Sequence, residues 1–186
     1  MTLSEALQTI IAALDQAGLA YMLTGSFAGA YYGVPRSTQD IDIVIEGTAP
    51  QLRKFVEGLP ASRYYSDLEA AMNAHRRESM FNIIDVTSGW KIDMIIRKSR
   101  DFSREEFARR RPASLQGVQL FVASAEDLIV AKLEWAKVGH SQRQIEDAGV
   151  ILRVQSTLLD RSYLEKWASV LGLEREWEAV RRMAES

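Results

Sequence analysis

Two short stretches carry the most suggestive chemistry in the chain, Gln39-Asp40-Ile41-Asp42-Ile43-Val44-Ile45 and Lys91-Ile92-Asp93-Met94-Ile95-Ile96. Both are apolar and β-branched, as strands are, and both are broken by carboxylates. Side chains alternate between the two faces of a strand, so Asp40, Asp42, Val44 and Glu46 share one face while Ile41, Ile43 and Ile45 take the other. The isoleucines bury the strand and leave the two aspartates side by side. Close carboxylates repel and raise each other's pKa unless a cation lies between them, which makes a shared divalent metal the economical explanation. A lone Asp-x-Asp also occurs on edge strands whose carboxylates cap a turn or face water; Asp93, in a similar setting, is what turns the reading toward a site. With no cysteine in the chain, and His75 and His140 as its two histidines, the available ligands are hard oxygens that suit Mg²⁺ or Mn²⁺ better than zinc. Three aspartates on neighbouring strands can hold two such ions at about 3.5–4 Å, the arrangement used for in-line displacement at phosphorus. A triphosphate also needs donors, and Gly25-Ser26, at the start of a helix, offers backbone N–H groups, a hydroxyl and the positive helix end.

Positioning these residues requires a particular set of elements. Thr2-Leu3-Ser4-Glu5 has the form of a capping box, and Leu3, Leu7, Ile10, Ile11 and Leu14 recur at helical spacing until Gly18. Leu19 to Thr24 predicts a buried strand, and a brief helix runs from the Gly25-Ser26 turn to Tyr32, ended by Gly33 and Pro35. Gln39 to Glu46 is the next strand. Helices are expected over Ala49–Leu59 and Ser66–Arg77, the second with Ser66 as cap and Glu69 three residues on. Met80–Val86 and Lys91–Arg97 predict a hairpin around Thr87-Ser88-Gly89-Trp90. Pairing Val86 with Lys91 sets Ile84 opposite Asp93 and gathers Phe81, Ile83, Ile92, Met94 and Ile96 on the apolar face, so that Asp93 points away from it. Asp85 is the competing candidate for the third carboxylate, but in the same register it falls on the apolar face near the turn, as a solvated strand terminus. Ser103-Arg104-Glu105-Glu106 opens a helix that stops before Pro112, and Leu115–Val122 makes one more strand. From Ser124 onward four helical segments follow, Ala125–Val138, Gln142–Val154, Arg161–Leu171 and Leu173–Ala184, with no competing strand pattern. The expected fold class is therefore α/β (α+β), a mixed sheet backed by helices over residues 1–122 and a helical lobe over 123–186 packed on it.

Composition narrows the setting. The 186 residues are 47% hydrophobic and 26% charged with a net charge of −2, ordinary for a globular protein and unlike a chain that coats nucleic acid. Arg76-Arg77 and Arg109-Arg110-Arg111 read as solvated charge at helix ends. Without cysteine, disulfides, thiolate metal sites and cysteine nucleophiles are excluded. No run approaches the ~20 apolar residues of a membrane span, and no secretory leader opens the chain, so the expected location is cytoplasmic, away from the membrane.

Gly25-Ser26, Asp40-x-Asp42 after an intervening helix, and Asp93 on a later strand together resemble the DNA polymerase β-like nucleotidyltransferase superfamily. The segment Arg36-Ser37-Thr38-Gln39-Asp40-Ile41-Asp42 is similar to the Arg-x-Thr-x-Asp-hydrophobic-Asp form of its minimal bacterial members of the AbiEii toxin type, and aminoglycoside nucleotidyltransferases are related. The resemblance implies a nucleotidyltransferase fold over Leu19–Ile96, with Asp40, Asp42 and Asp93 as metal ligands and Asp93 as base for an acceptor hydroxyl. Gly25, Ser26, Arg36 and Thr38 would cradle the triphosphate. Asp127-Leu128-Ile129-Val130-Ala131-Lys132-Leu133 resembles the family helix that presents a lysine to the nucleotide, here Lys132. A later Arg/Lys-Asp-x-x-Asp segment is matched in part by Arg143-Gln144-Ile145-Glu146-Asp147, with Gln144 in the place of the first acid and Asp147 retained beside the nucleotide.

The function implied is transfer of a nucleoside monophosphate from an NTP, with Mg²⁺ or Mn²⁺, to an acceptor hydroxyl on tRNA, a protein or a small molecule of aminoglycoside type, with release of pyrophosphate. For the toxin type an antitoxin protein is the implied partner. A catalytically idle nucleotide-binding module is the contrasting class, and retention of all three aspartates weighs against it.

Overall fold

The computed structural model describes residues 2–34 and 39–185. Arg36 and Thr38, two of the expected phosphate-cradle residues, lie outside them. The described chain divides into two compact units, Met1–Phe27 with Ser37–Val122, and Ala28–Arg36 with Ala123–Ser186.

The first unit is a sheet with helices. It starts with α1 (Leu3–Ala17), where Thr2 accepts the Glu5 N–H, Glu5 accepts the Thr2 N–H, and Gly18 closes the helix in the left-handed region at φ 72°. Then come β1 (Ala20–Thr24), the seven-residue α2 (Gly25–Tyr31), β2 (Asp40–Glu46), α3 (Ala49–Gly58), β3 (Tyr64–Ser66), α4 (Leu68–Arg77), β4 (Met80–Asp85), β5 (Lys91–Ile96), α5 (Asp101–Ala108), β6 (Arg111–Leu115) and β7 (Val118–Val122). The seven strands lie in the order β3-β4-β5-β2-β1-β7-β6. The β2–β5 and β1–β7 pairs are parallel and the others antiparallel, so the sheet is mixed. One face carries Ile41, Ile43, Ile45, Phe81, Ile83, Ile92 and Met94, all buried. Helices α1, α3 and α4 pack in a row against the sheet on this side, where Lys54 and Gln51 of α3 donate to the Gln16 and Gly18 carbonyls at the end of α1.

Four expectations need correcting. The hairpin register is displaced by two residues: Ile84 pairs with Lys91, and Asn82 stands opposite Asp93. The displacement arises because β4 ends at Asp85, whose carboxylate accepts the Thr87 N–H and hydroxyl at 3.0 and 2.6 Å and whose carbonyl accepts the Gly89 N–H at 2.8 Å, making a five-residue loop. An even slip leaves each side chain on its expected face. Asp85 is not a solvated terminus: it is fully buried and paired with the Arg63 guanidinium at 3.1 Å. Burial pushes its carboxyl up, but the Thr87 and Arg63 contacts outweigh that and hold it below the usual range. Ser66 closes the short strand β3, and Asp67 caps α4 by accepting the Ala70 N–H. Finally, α5 begins at Asp101 with Ser103 inside it, and the segment before Leu115 forms β6, paired to β7 through a tight turn at Gln116-Gly117, both with positive φ. Pro112 disguises this strand, which lies at the sheet edge where proline is tolerated.

The second unit is helical apart from its connections. It holds the end of α2 with α6 (Ala125–Gly139), α7 (Gln142–Val154), α8 (Arg161–Val170) and α9 (Glu174–Glu185). Helix α7 packs on α6 and α9, and α8 packs on α6. Its core is Leu128, Ile129, Leu133, Ala148, Ile151, Leu164, Trp167 and Val180. Among the described residues no helix is long and apolar enough to cross a membrane.

Candidate functional site

Parallel pairing of β2 with β5 sets Asp42 directly beside Asp93, and Asp40 beside Lys91. Antiparallel pairing of β1 with β2 places Thr24 next to Asp42 on the other side. A single row therefore crosses four central strands on the face opposite the isoleucines: Thr24, Asp42, Asp93, Asn82. Sequence patterning alone identifies the two aspartates; the register adds Thr24 and Asn82.

Exposure falls along this cluster from Asp40, which is open to solvent, through the half-buried Asp42 to the buried Asp93. Burial, with Asp93 and Asp40 facing it, pushes the Asp42 carboxyl up to about 6, although the Ser26 N–H and the Lys91 ammonium pull it back. Lys91 brings a cation to the cluster. Its Nζ donates to Asp93 Oδ2 at 3.0 Å and lies 2.9 Å from Oδ1, and the carboxylates hold the ammonium above the usual lysine range, the hydrogen bond that it donates to Asp93 being the largest cause. Lysine two residues before an aspartate in a strand is on the same face, so this partner was readable from the alternation.

Gly25 brings the following turn against the cluster. It sits at φ +63°, and a Cβ there would stand 2.0 Å from Asp42 Oδ2, so any side chain would collide with the carboxylate. Only this bare backbone lets the Ser26 N–H donate to Asp42. Phe27, one residue further, packs its ring on Trp90 at 5.9 Å, which ties the turn to the loop that delivers Lys91 and Asp93.

Among the described residues no three carboxylate or imidazole side chains are gathered into a closed metal cage. The donor set still suits a hard dication that draws its other ligands from a substrate. Mg²⁺ commonly takes one or two carboxylates and completes its shell with phosphate oxygens and water, and Asp42 beside Asp93 is such a carboxylate pair.

In the helical unit, Lys132 is buried and its Nζ donates to Asp147 Oδ2 at 2.9 Å and to Gln144 Oε1 at 3.2 Å. Gln144, which departs from the acidic residue of the resembling segment, thus serves as a neutral acceptor for the same ammonium. At the start of α6 the buried Asp127 accepts from the Ser124 and Tyr163 hydroxyls and fixes α8 on α6. Tyr163 carried no signal in the sequence beyond its place on an apolar stripe.

Several solved structures share the fold. ANT(2")-Ia in complex with adenylyl-2"-tobramycin aligns with a TM-score of 0.58 at 18% identity, covering 95% of this chain and 99% of that one. The lincosamide antibiotic adenylyltransferase LnuA, lincomycin-bound, aligns at 0.53 and 13% identity over 82% and 98%. An antigenic nucleotidyltransferase-like protein from Paracoccidioides brasiliensis aligns at 0.53 and 13% over 94% and 91%. No curated protein matches the chain. The mixed sheet with its carboxylate row is thus a nucleotidyltransferase fold, and a family model described as "nucleotidyltransferase of unknown function (DUF6036)" matches residues 1–184, so the chain belongs to that family.

Proposed function

We propose that the protein transfers a nucleoside monophosphate from an NTP to an acceptor hydroxyl and releases pyrophosphate. The observation that carries this reading is the register that sets Asp42 beside Asp93, with Asp40 one step along and the Gly25-Ser26 turn against Asp42. Asp40, Asp42 and Asp93 would hold Mg²⁺ or Mn²⁺, which on binding neutralises the triphosphate and stabilises charge on the transferring phosphoryl group.

This chain's own residues supply the rest. The Gly25-Ser26 turn, through the Ser26 hydroxyl, holds the phosphates together with Arg36 and Thr38. Asp93, pinned by Lys91, serves as the base in this reading: the acceptor oxygen attacks the α-phosphorus, its proton passes to the Asp93 carboxylate, and the bond to pyrophosphate breaks. Lys132, held by Asp147 and Gln144 inside the helical unit, is the residue that the resemblance assigns to the nucleotide. The motif ending in Asp40-Ile41-Asp42 supports the toxin-type branch, and the overlap with aminoglycoside and lincosamide adenylyltransferases supports a small-molecule acceptor.

Incubation with each labelled NTP, Mg²⁺ and fractionated cellular RNA, protein and small molecules tests the reading. Label moves to one fraction with the native protein and to none with Asp42→Asn. Transfer undiminished by that substitution, or by EDTA, refutes it.

A further inference from the structure

Lys91 stands in a particular place relative to Asp93. The two residues lie two apart on β5 and so share one face of the strand, and the register sets Asp42 of β2 directly beside Asp93. The ammonium sits between the two oxygens of the Asp93 carboxylate, 2.9 Å from Oδ1 and 3.0 Å from Oδ2. A cation that a carboxylate binds through both oxygens takes the same kind of seat. Oδ2 accepts a hydrogen bond from the ammonium, whereas Oδ1, close as it is, is buried and accepts none among the described residues.

Burial gives this placement its weight. Asp93 is 8% exposed, so water serves its charge poorly and the carboxylate needs a cation near it. Lys91 supplies one from a side chain that is itself 39% exposed. Its strongly hydrated ammonium, on a flexible stem, can leave for solvent. Asp93, held in a strand between β2 and β4, cannot follow. The pair is therefore movable on the lysine side and fixed on the aspartate side.

A dication drawn to Asp42 and Asp93 meets this ammonium. Like charges at contact distance repel more strongly in a partly buried place than in water. Its binding by Asp93 therefore includes the cost of turning Lys91 away from the carboxylate. A triphosphate shifts that balance, because it brings acceptor oxygens for the displaced ammonium and further ligands for the ion.

We infer that Lys91 is a positioning residue that acts as an internal counter-ion: it holds Asp93 while no nucleotide is bound, keeps a divalent metal from settling there, and yields the carboxylate when a triphosphate brings the metal in. This rests on the transfer reaction proposed above, in which Asp93 is a metal ligand. Nucleotide and metal then enter together.

The test measures Mn²⁺ uptake by the full chain with no nucleotide present, from the electron paramagnetic resonance signal of the free ion. Lys91→Met keeps the stem and removes the charge, and binds Mn²⁺ at least about tenfold more tightly than the native protein. Lys91→Gln repeats the measurement with a polar side chain, so that the result does not hang on one variant folding. Lys91→Arg keeps the charge and stays within about threefold of native. Lys98→Met, at an exposed lysine beyond the end of β5, also stays within about threefold, which separates a local counter-ion from a change in overall charge. The tightening disappears when Lys91→Met is combined with Asp93→Asn, because the freed carboxylate is what takes the ion. Affinity unmoved or lowered in the Met and Gln variants, equal tightening in Lys91→Arg or Lys98→Met, or tightening that survives Asp93→Asn overturns the inference. Calorimetry of the native protein with each NTP and Mg²⁺ addresses the reading beneath it: absence of nucleotide binding there overturns the transfer reaction instead.

Discussion

The two units solve the same electrostatic problem in opposite ways. In the helical unit a buried lysine meets a buried carboxylate, Lys132 with Asp147, and Gln144 takes up a further donor of the ammonium. In the sheet unit burial and the facing Asp93 and Asp40 leave Asp42 with a pKa of about 6. A buried charge is tolerated when it is paired, and leaving one partner alone is costly. Carboxylates that crowd one another in this way are therefore a cost in the empty protein, of the kind that active sites carry and structural pairs avoid. The contrast separates a site that awaits charge from one already satisfied.

The largest expected effect lies in the sheet unit. Asp42→Asn lowers transfer by at least about a thousandfold, as loss of transition-state charge stabilisation does, yet leaves stability in EDTA undiminished at pH 8. Steady-state transfer and urea denaturation of the same preparation check both halves. A variant that loses activity by unfolding would erase the contrast.

Asp147→Ala in the helical unit should act in reverse, on stability first. Lys132 would be left buried beside Gln144 alone, and breaking such a pair costs about 3–5 kcal/mol. The urea midpoint reports it. An effect no larger than that of an exposed substitution would show that the Lys132–Asp147 pair is no more buried in energy than a surface pair.

The raised Asp42 has its own pH signature in metal-free protein. Between the unfolded pKa near 3.8 and the folded value of about 6, the folded state holds a proton that the unfolded state has released. Stability is thus full below the lower value and falls as pH rises through the upper one, by at most roughly 3 kcal/mol. Denaturation midpoints at pH 4.5 and 7.5 in EDTA, in native protein and in Asp42→Asn, isolate the contribution: the asparagine variant should lack it.

The smallest effect on transfer is expected from Asp85→Asn. Asp85 is fully buried on the opposite face, tied to Arg63 and Thr87, so the substitution weakens the hairpin by about 2 kcal/mol and leaves transfer per folded molecule close to native. Thermal melting beside the transfer assay distinguishes the two. Loss of transfer equal to that of Asp93→Asn would mean that the hairpin loop, and not the Asp42–Asp93 register, governs the site.

Asp85 also shows where reading the sequence reached its limit. Alternation assigned it to the apolar face and Asp93 to the other, and the structure agrees, because side-chain period does not depend on register. Its fate did depend on Arg63, distant in sequence and held by a three-residue strand too short to leave a pattern. The same applies to β6, where Pro112 hides a strand that exists only because β7 pairs with it. The helices of the second unit were legible to within two residues, since stripes and caps are local. Lys91 was legible but unread: it follows the alternation that singled out Asp93. Asn82 was not, because its place opposite Asp93 comes from a loop whose length is set by the Asp85 side chain.

The sheet's two borders bear on how the protein behaves at high concentration. One border is β3, three residues long, and the other is β6, which carries Pro112. A stranger's strand seeking to extend the sheet finds too few amide groups at the first and a missing one at the second. Self-association by stacking sheets edge to edge is thereby discouraged by the backbone itself. Pro112→Val would restore the amide on a five-residue border and turn it into a template, and light scattering of concentrated samples would register the change.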